Sequence, residues 1–107
     1  MNIILSDRFK RNAKTLAKKY HSFKADLAEL ANSLRENPEQ GVPLGKDCYK
    51  VRMAIKSKNK GKSGGARIIT CVKIEAENIY LLSVYDKSTQ SSIEDDEIDD
   101  ILNELGL

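Results

Sequence analysis

The sequence predicts an α+β fold: an N-terminal helical hairpin packed on a twisted, mainly antiparallel sheet, in the order β-α-α-β-β-β-α. Three observations carry this. Apolar residues recur at three- and four-residue spacing twice before Pro38. Between Cys48 and Tyr85 the period shortens to two or the run becomes continuously apolar. After Ser92 a helical spacing returns in an acidic segment. At 107 residues, the chain is expected to form one domain spanning 1–107. Its 40% hydrophobic and 32% charged content is that of a folded chain, not a disordered one.

Asn2–Leu5 reads as a short strand, and Ser6 or Asp7 as a helix N-cap. Phe9, Ala13, Leu16, Ala17 and Tyr20 then form an apolar stripe, with Arg8, Lys10, Arg11, Lys14, Lys18 and Lys19 between them. Ser22 is placed to cap a second helix with Phe23, Leu27, Leu30, Ala31 and Leu34 as its stripe, and Asn37-Pro38 stops it. So short a break between helices predicts an antiparallel pair. Glu39–Asp47, with Gly41, Pro43 and Gly45, reads as a loop. In the strand from Cys48 to Lys56, Tyr49, Val51, Met53 and Ile55 point one way and Lys50, Arg52, Ala54 and Lys56 the other. Residues 66–74 are a second, β-branched strand, and 79–85 a central strand covered on both faces. These three strands are expected to form an antiparallel meander. Ser92 with Asp95 fits a capping box for a last helix bearing Ile98, Ile101, Leu102 and Leu105.

Charge is segregated. Residues 1–45 carry a net +3, residues 46–74 a net +8 and residues 75–107 a net −9, which leaves only +2 for the chain. A middle segment of that sign is the footprint of a polyanion-binding surface. No apolar run approaches the roughly 18 residues of a membrane span, and the apolar patch at Met1 and Ile3–Leu5 is too short for a signal peptide. The expected location is the cytoplasm, where Cys48 and Cys71, which form no CxxC pair, are packed thiols.

The stretch KSKNKGKSGG, residues 56–65, contains a GKS triplet at Gly61–Ser63. A phosphate-binding P-loop needs glycine five positions earlier, where Lys56 stands, and a helix afterwards, where Gly64-Gly65 and a β-branched run stand. The P-loop reading fails on both counts. His21, Cys48 and Cys71 share no metal-ligand spacing, and Glu94–Asp100 lacks the glycine and alternating ligands of a calcium loop. No metal and no cofactor are expected. With one histidine, at position 21 between helices, no Ser-His-Asp or Cys-His arrangement is available.

What remains is the cationic set. Lys50 and Arg52 share a strand face, Arg67 lies on the neighbouring strand and Lys87 follows the central one. If the meander forms, all four converge on one patch; the plain alternative is a solvated strand face. Lys56, Lys58, Lys60 and Lys62 lie in the connection between two strands, read as an adaptable, phosphate-contacting basic arm, either a loop or a projecting hairpin.

The runs DCYKVRM, GGARIITCV and IYLLSVYDKS, behind a helical hairpin and ahead of a C-terminal helix, resemble the RelE/ParE superfamily of toxins of bacterial type II toxin–antitoxin modules. The arm ending in GKSGGAR is similar to a HigB-like branch with a lengthened hairpin. The resemblance covers nearly the whole chain and implies a RelE-like fold. It also implies a ribosome-dependent endoribonuclease that cuts messenger RNA in the A site without a metal, the 2′-hydroxyl attacking the adjacent phosphate. A cognate antitoxin and ribosomal RNA are the implied partners. Carried over by position, Lys50 and Arg52 match the family's two cationic positions on that strand, and Arg67 its arginine on the next. Lys87 falls where the family has arginine. The family's tyrosine near the chain end falls at Ile93, so that role is vacant, and Tyr85 is close enough to take its place.

Preorganised cations are the direct way to stabilise charge building on a phosphate. The expected roles are Arg67 as phosphate clamp, Lys50 as general base and Lys87 at the leaving oxygen, with Arg52 beside them. Two other readings stand: a ParE-like gyrase inhibitor that acts by binding, and a non-catalytic RNA-binding domain. The first has no need of Lys50, Arg52 and Arg67 on one face. The second lacks an aromatic stacking platform, with only four Tyr and two Phe in the chain.

Overall fold

Ser6 starts the first helix as its sequence position predicts. Its Oγ accepts from the Phe9 N–H at 3.0 Å and donates to the Leu82 carbonyl at 2.7 Å, so one hydroxyl caps the helix and ties it to the sheet. The structure is a computed structural model describing residues 1–107. Its elements are β1 (Asn2–Leu5), α1 (Asp7–Lys19), α2 (Phe23–Glu36), β2 (Val42–Gly45), β3 (Cys48–Met53), β4 (Ala66–Lys73), β5 (Asn78–Asp86) and α3 (Asp95–Glu104), with one turn of 3-10 helix at Lys56–Lys58.

The five strands lie in the order β1-β5-β4-β3-β2. β1 runs parallel to β5, and every other pair is antiparallel. The expected meander is β3-β4-β5. The helical pair covers one sheet face, packing Phe9, Phe23 and Leu34 against Val51, Ile68, Ile79 and Val84. On the other face α3 sets Ile98, Ile101 and Leu102 against Cys48, Ile69, Cys71, Leu82 and Tyr85. β5 is therefore buried from both sides, which is why its sequence is continuously apolar. Each large side chain so buried contributes about 1.5–3 kcal/mol. No helix is long and apolar enough to cross a membrane.

Three local expectations are corrected. The segment read wholly as loop contains β2, an edge strand in which Val42 pairs with Lys50 and Pro43 with Tyr49. Proline is tolerated there because an edge strand leaves one row of N–H groups unused. Gly41, at φ +102°, brings that strand in: a Cβ would lie 2.5 Å from the Lys50 carbonyl oxygen. The Ser92–Asp95 capping box does not form; α3 begins at Asp95 with Glu94 at its N-cap and no side-chain cap. Ser22 sits at the N-cap of α2 without capping it. Its hydroxyl instead donates to Asp26 Oδ2 at 2.7 Å and accepts from the Ser57 N–H at 2.9 Å.

Candidate functional site

The ladder between β3 and β4 sets Arg52 directly opposite Arg67, and the ladder between β4 and β5 sets Arg67 opposite Tyr85. Paired residues share a sheet face, so these three side chains form a row across three strands. Lys50, paired with Ile69, lies two residues along the same face. Lys87 follows β5, where its N–H donates to the Gly65 carbonyl at 3.0 Å and continues the pairing beyond the strand. The four expected residues thus fall within four ladder positions of one another, from the Lys50–Ile69 pair to Lys87 beside Gly65. α3 packs on this same face against Cys48, Ile69, Cys71, Leu82 and Tyr85.

Exposure divides the four. Arg52 is exposed, and Lys50 and Lys87 are half-buried. Arg67 is only 6% exposed. Its Nη1 donates to the carbonyls of Lys62 at 2.9 Å and Ala66 at 3.1 Å, and its Nη2 to that of Ser63 at 3.2 Å. The fork expected to grip a phosphate grips the connection between β3 and β4. Tyr85 is 5% exposed, and its hydroxyl has no hydrogen-bond partner. Burial pushes its pKa up, against the opposing charge of Arg67, so the phenol stays protonated.

The lysine-glycine connection is folded, not projecting. Gly65 lies so close to the end of β3 that a Cβ would stand 2.1 Å from the Met53 carbonyl oxygen. Asn59 takes the left-handed conformation, φ 58°, that ends the 3-10 turn. Lys56 pairs with Glu29 at 2.8 Å in an exposed contact, while its N–H donates to Asp26 at 3.1 Å. Lys58 pairs with Asp86 at 2.7 Å, both side chains out of water, and its Nζ lies 5.3 Å from the centre of the Tyr20 ring. Lys60 and Lys62 stay exposed, with no carboxylate within ion-pair distance. Arg52, Lys56 and Lys62 line a cavity of about 180 Å³ together with Asp26 and Glu29.

Asp86 is the residue sequence reasoning missed. It accepts from Lys58, from the Tyr20 hydroxyl and from both the N–H and hydroxyl of Ser88. Burial by itself would raise its pKa, but these hydrogen bonds outweigh it and hold the carboxyl well below the usual range. An acid directly after an apolar run, within a segment otherwise free of charge since Asn78, was the available signal. No group of three or more His, Cys, Asp or Glu side chains is arranged to hold a metal ion.

Fold and site together define a small α+β domain with cations gathered at one end of a sheet and on the connection beside it. The model of the RelE toxin of the RelE/RelB toxin–antitoxin system matches residues 1–105, and the chain belongs to that family. No curated protein matches the sequence. Among solved structures, the E. coli toxin RelE with two arginines changed to alanine, in the free state, matches with a TM-score of 0.64. It is 15% identical over 96% of this chain and 95% of that one, a likeness of fold.

Proposed function

We propose that this toxin-family chain is a ribosome-dependent endoribonuclease that cleaves messenger RNA and is neutralised by a cognate antitoxin. The observation that carries the reading is the row Arg52–Arg67–Tyr85 with Lys50 and Lys87 beside it. It is a preorganised cluster of donors where a phosphodiester would develop charge. The 2′-hydroxyl attacks the adjacent phosphorus and the bond to the 5′-oxygen breaks, leaving a cyclic phosphate and a free 5′-hydroxyl. Lys50 takes the proton of the attacking hydroxyl and Lys87 supplies one to the leaving oxygen. Arg52, the exposed guanidinium, binds the phosphate oxygens bidentately. Arg67 holds the connection in place and adds fixed positive charge from behind. Tyr85, a protonated phenol without a partner, is the aromatic candidate for the role vacant at Ile93. The reading needs no metal ion or cofactor. Lys60 and Lys62 contact ribosomal RNA through its phosphates.

The test maps RNA ends in an extract with translation running and with it blocked. Cuts in messenger only during translation, reduced about 10²–10³-fold by Lys50→Ala or Arg52→Ala, are the expected result. Wild-type cutting by both variants would remove the site. Growth arrest with an SOS response and no cuts would place the chain with gyrase inhibitors, and RNA binding without cuts would make it a binding domain.

A further inference from the structure

Cys48 and Cys71 are far apart in sequence and unremarkable there, but the β3–β4 ladder sets them directly opposite each other. The neighbouring bond from the Val72 N–H to the Asp47 carbonyl, at 2.9 Å, fixes the kind of pair they form. A bond joining the residue before one partner to the residue after the other marks a non-hydrogen-bonded pair. In such pairs the Cα atoms are about 4.5 Å apart and the side chains stand closest. That separation lies inside the range of about 4.4–6.8 Å that a disulfide spans. Both sulfurs also face one acceptor: the Lys46 carbonyl oxygen lies 3.5 Å from Cys48 Sγ and 3.8 Å from Cys71 Sγ. Both cysteines are free and buried.

We propose that Cys48 and Cys71 form a reversible cross-strand disulfide by exchange with small-molecule disulfides. The bond closes within the native ladder, without a change of register. Cys48 lines the cavity at the edge of α3 and meets the reagent first; Cys71, directly opposite, closes the bond, its pKa lowered by the hydrogen bond from Cys48, against burial, with the Lys73 ammonium adding to the effect. Cys48 loses its proton to solvent, and its thiolate attacks one sulfur of the small disulfide, whose S–S bond breaks, giving a mixed disulfide and releasing one thiolate. Cys71 then loses its proton, and its thiolate attacks the Cys48 sulfur and displaces the second. Two electrons pass from the dithiol to the small disulfide, which leaves as two thiols.

Access runs beneath α3. Cys48 lines a cavity of about 200 Å³ with Leu44, Gly45, Lys46, Asp95, Ile98 and Asp99. The outer contacts of α3 are ion pairs of Asp99 with Lys46 and of Glu97 with Arg8, with side chains between 32% and 66% exposed. Pairs so exposed contribute little; the helix is held by Ile98, Ile101 and Leu102, and a small reagent reaches Cys48 through the cavity at the helix edge while those contacts stay packed.

The experiment incubates the native wild-type chain with 2-hydroxyethyl disulfide, then measures intact mass, free thiols and melting temperature. The expected product has lost two hydrogens, carries no adduct, has no free thiol and reverts with dithiothreitol. Closing the loop between strands raises its melting temperature by about 10 °C or more. A stable mixed disulfide, an unchanged dithiol, a bond that forms only in denaturant, or a product that melts no higher than the dithiol would each overturn the proposal.

Discussion

The Lys58 ammonium lies 2.7 Å from Asp86 Oδ1, with the two side chains 7% and 3% exposed. Charges this far from water are stable only together, because either one alone keeps its desolvation cost without its partner. Lys58→Ala is therefore expected to destabilise the fold by about 3 kcal/mol, the lower part of the range for a broken buried pair. Tyr20, Ser88 and the Lys19 ammonium, 3.8 Å from Oδ2, still hold the carboxylate in that variant. Lys60→Ala, exposed and unpaired, should shift stability by less than about 0.5 kcal/mol. Urea unfolding of the two variants checks the contrast, and equal midpoints would refute the buried pair.

The same carboxylate sets a pH dependence. The folded pKa of Asp86 is depressed below its unfolded value, so on the acid side the unfolded chain binds more protons. The stabilisation is complete above the unfolded pKa and is lost as pH falls below about 4 toward the folded value. Asp86→Asn removes this term, so its loss of stability between about pH 5 and pH 3 should be shallower than that of the wild type. Parallel acid limbs in the two unfolding series would count against it.

How much of this was readable in the sequence follows from range. Period and caps are local, so α1, α2 and the later two meander strands stand close to where spacing put them, while the first, expected to reach Lys56, ends at Met53 and gives way to the 3-10 turn. β2 was hidden because its four residues include Pro43 and Gly45, and only the pairing with Lys50 and Tyr49 makes it a strand. The alignment of Arg52 with Arg67 followed from the meander. The occupation of Arg67 by the Lys62 and Ser63 carbonyls did not, since a guanidinium serves a phosphate or a carbonyl equally well. The division of the four lysines likewise depends on Glu29 and Asp86, which lie 27 and 28 residues from their partners.

Arg67 tests whether shape or charge matters at the centre of the row. Arg67→Lys keeps the charge but loses the fork that spans two loop carbonyls. Trypsin should cut this variant after Lys60 or Lys62 faster than the wild type, and its messenger cleavage should fall nearly as far as that of Arg67→Ala. Wild-type cleavage by Arg67→Lys would reduce the residue to a point charge.

Lys60 and Lys62 are expected to carry the salt dependence of ribosome binding. Lys56 and Lys58 already answer to Glu29 and Asp86, so neutralising all four would mix lost RNA contact with lost stability. Lys60→Gln with Lys62→Gln avoids this. Each phosphate contact to single-stranded RNA contributes about 0.7 to the slope of log affinity against log salt, so the double variant should flatten it by about 1.4. Its urea midpoint should match the wild type. A flattened slope with an intact fold assigns these two lysines to RNA. An unchanged slope would leave the connection as a folded brace for Arg67, with the RNA contacts confined to Lys50, Arg52 and Lys87.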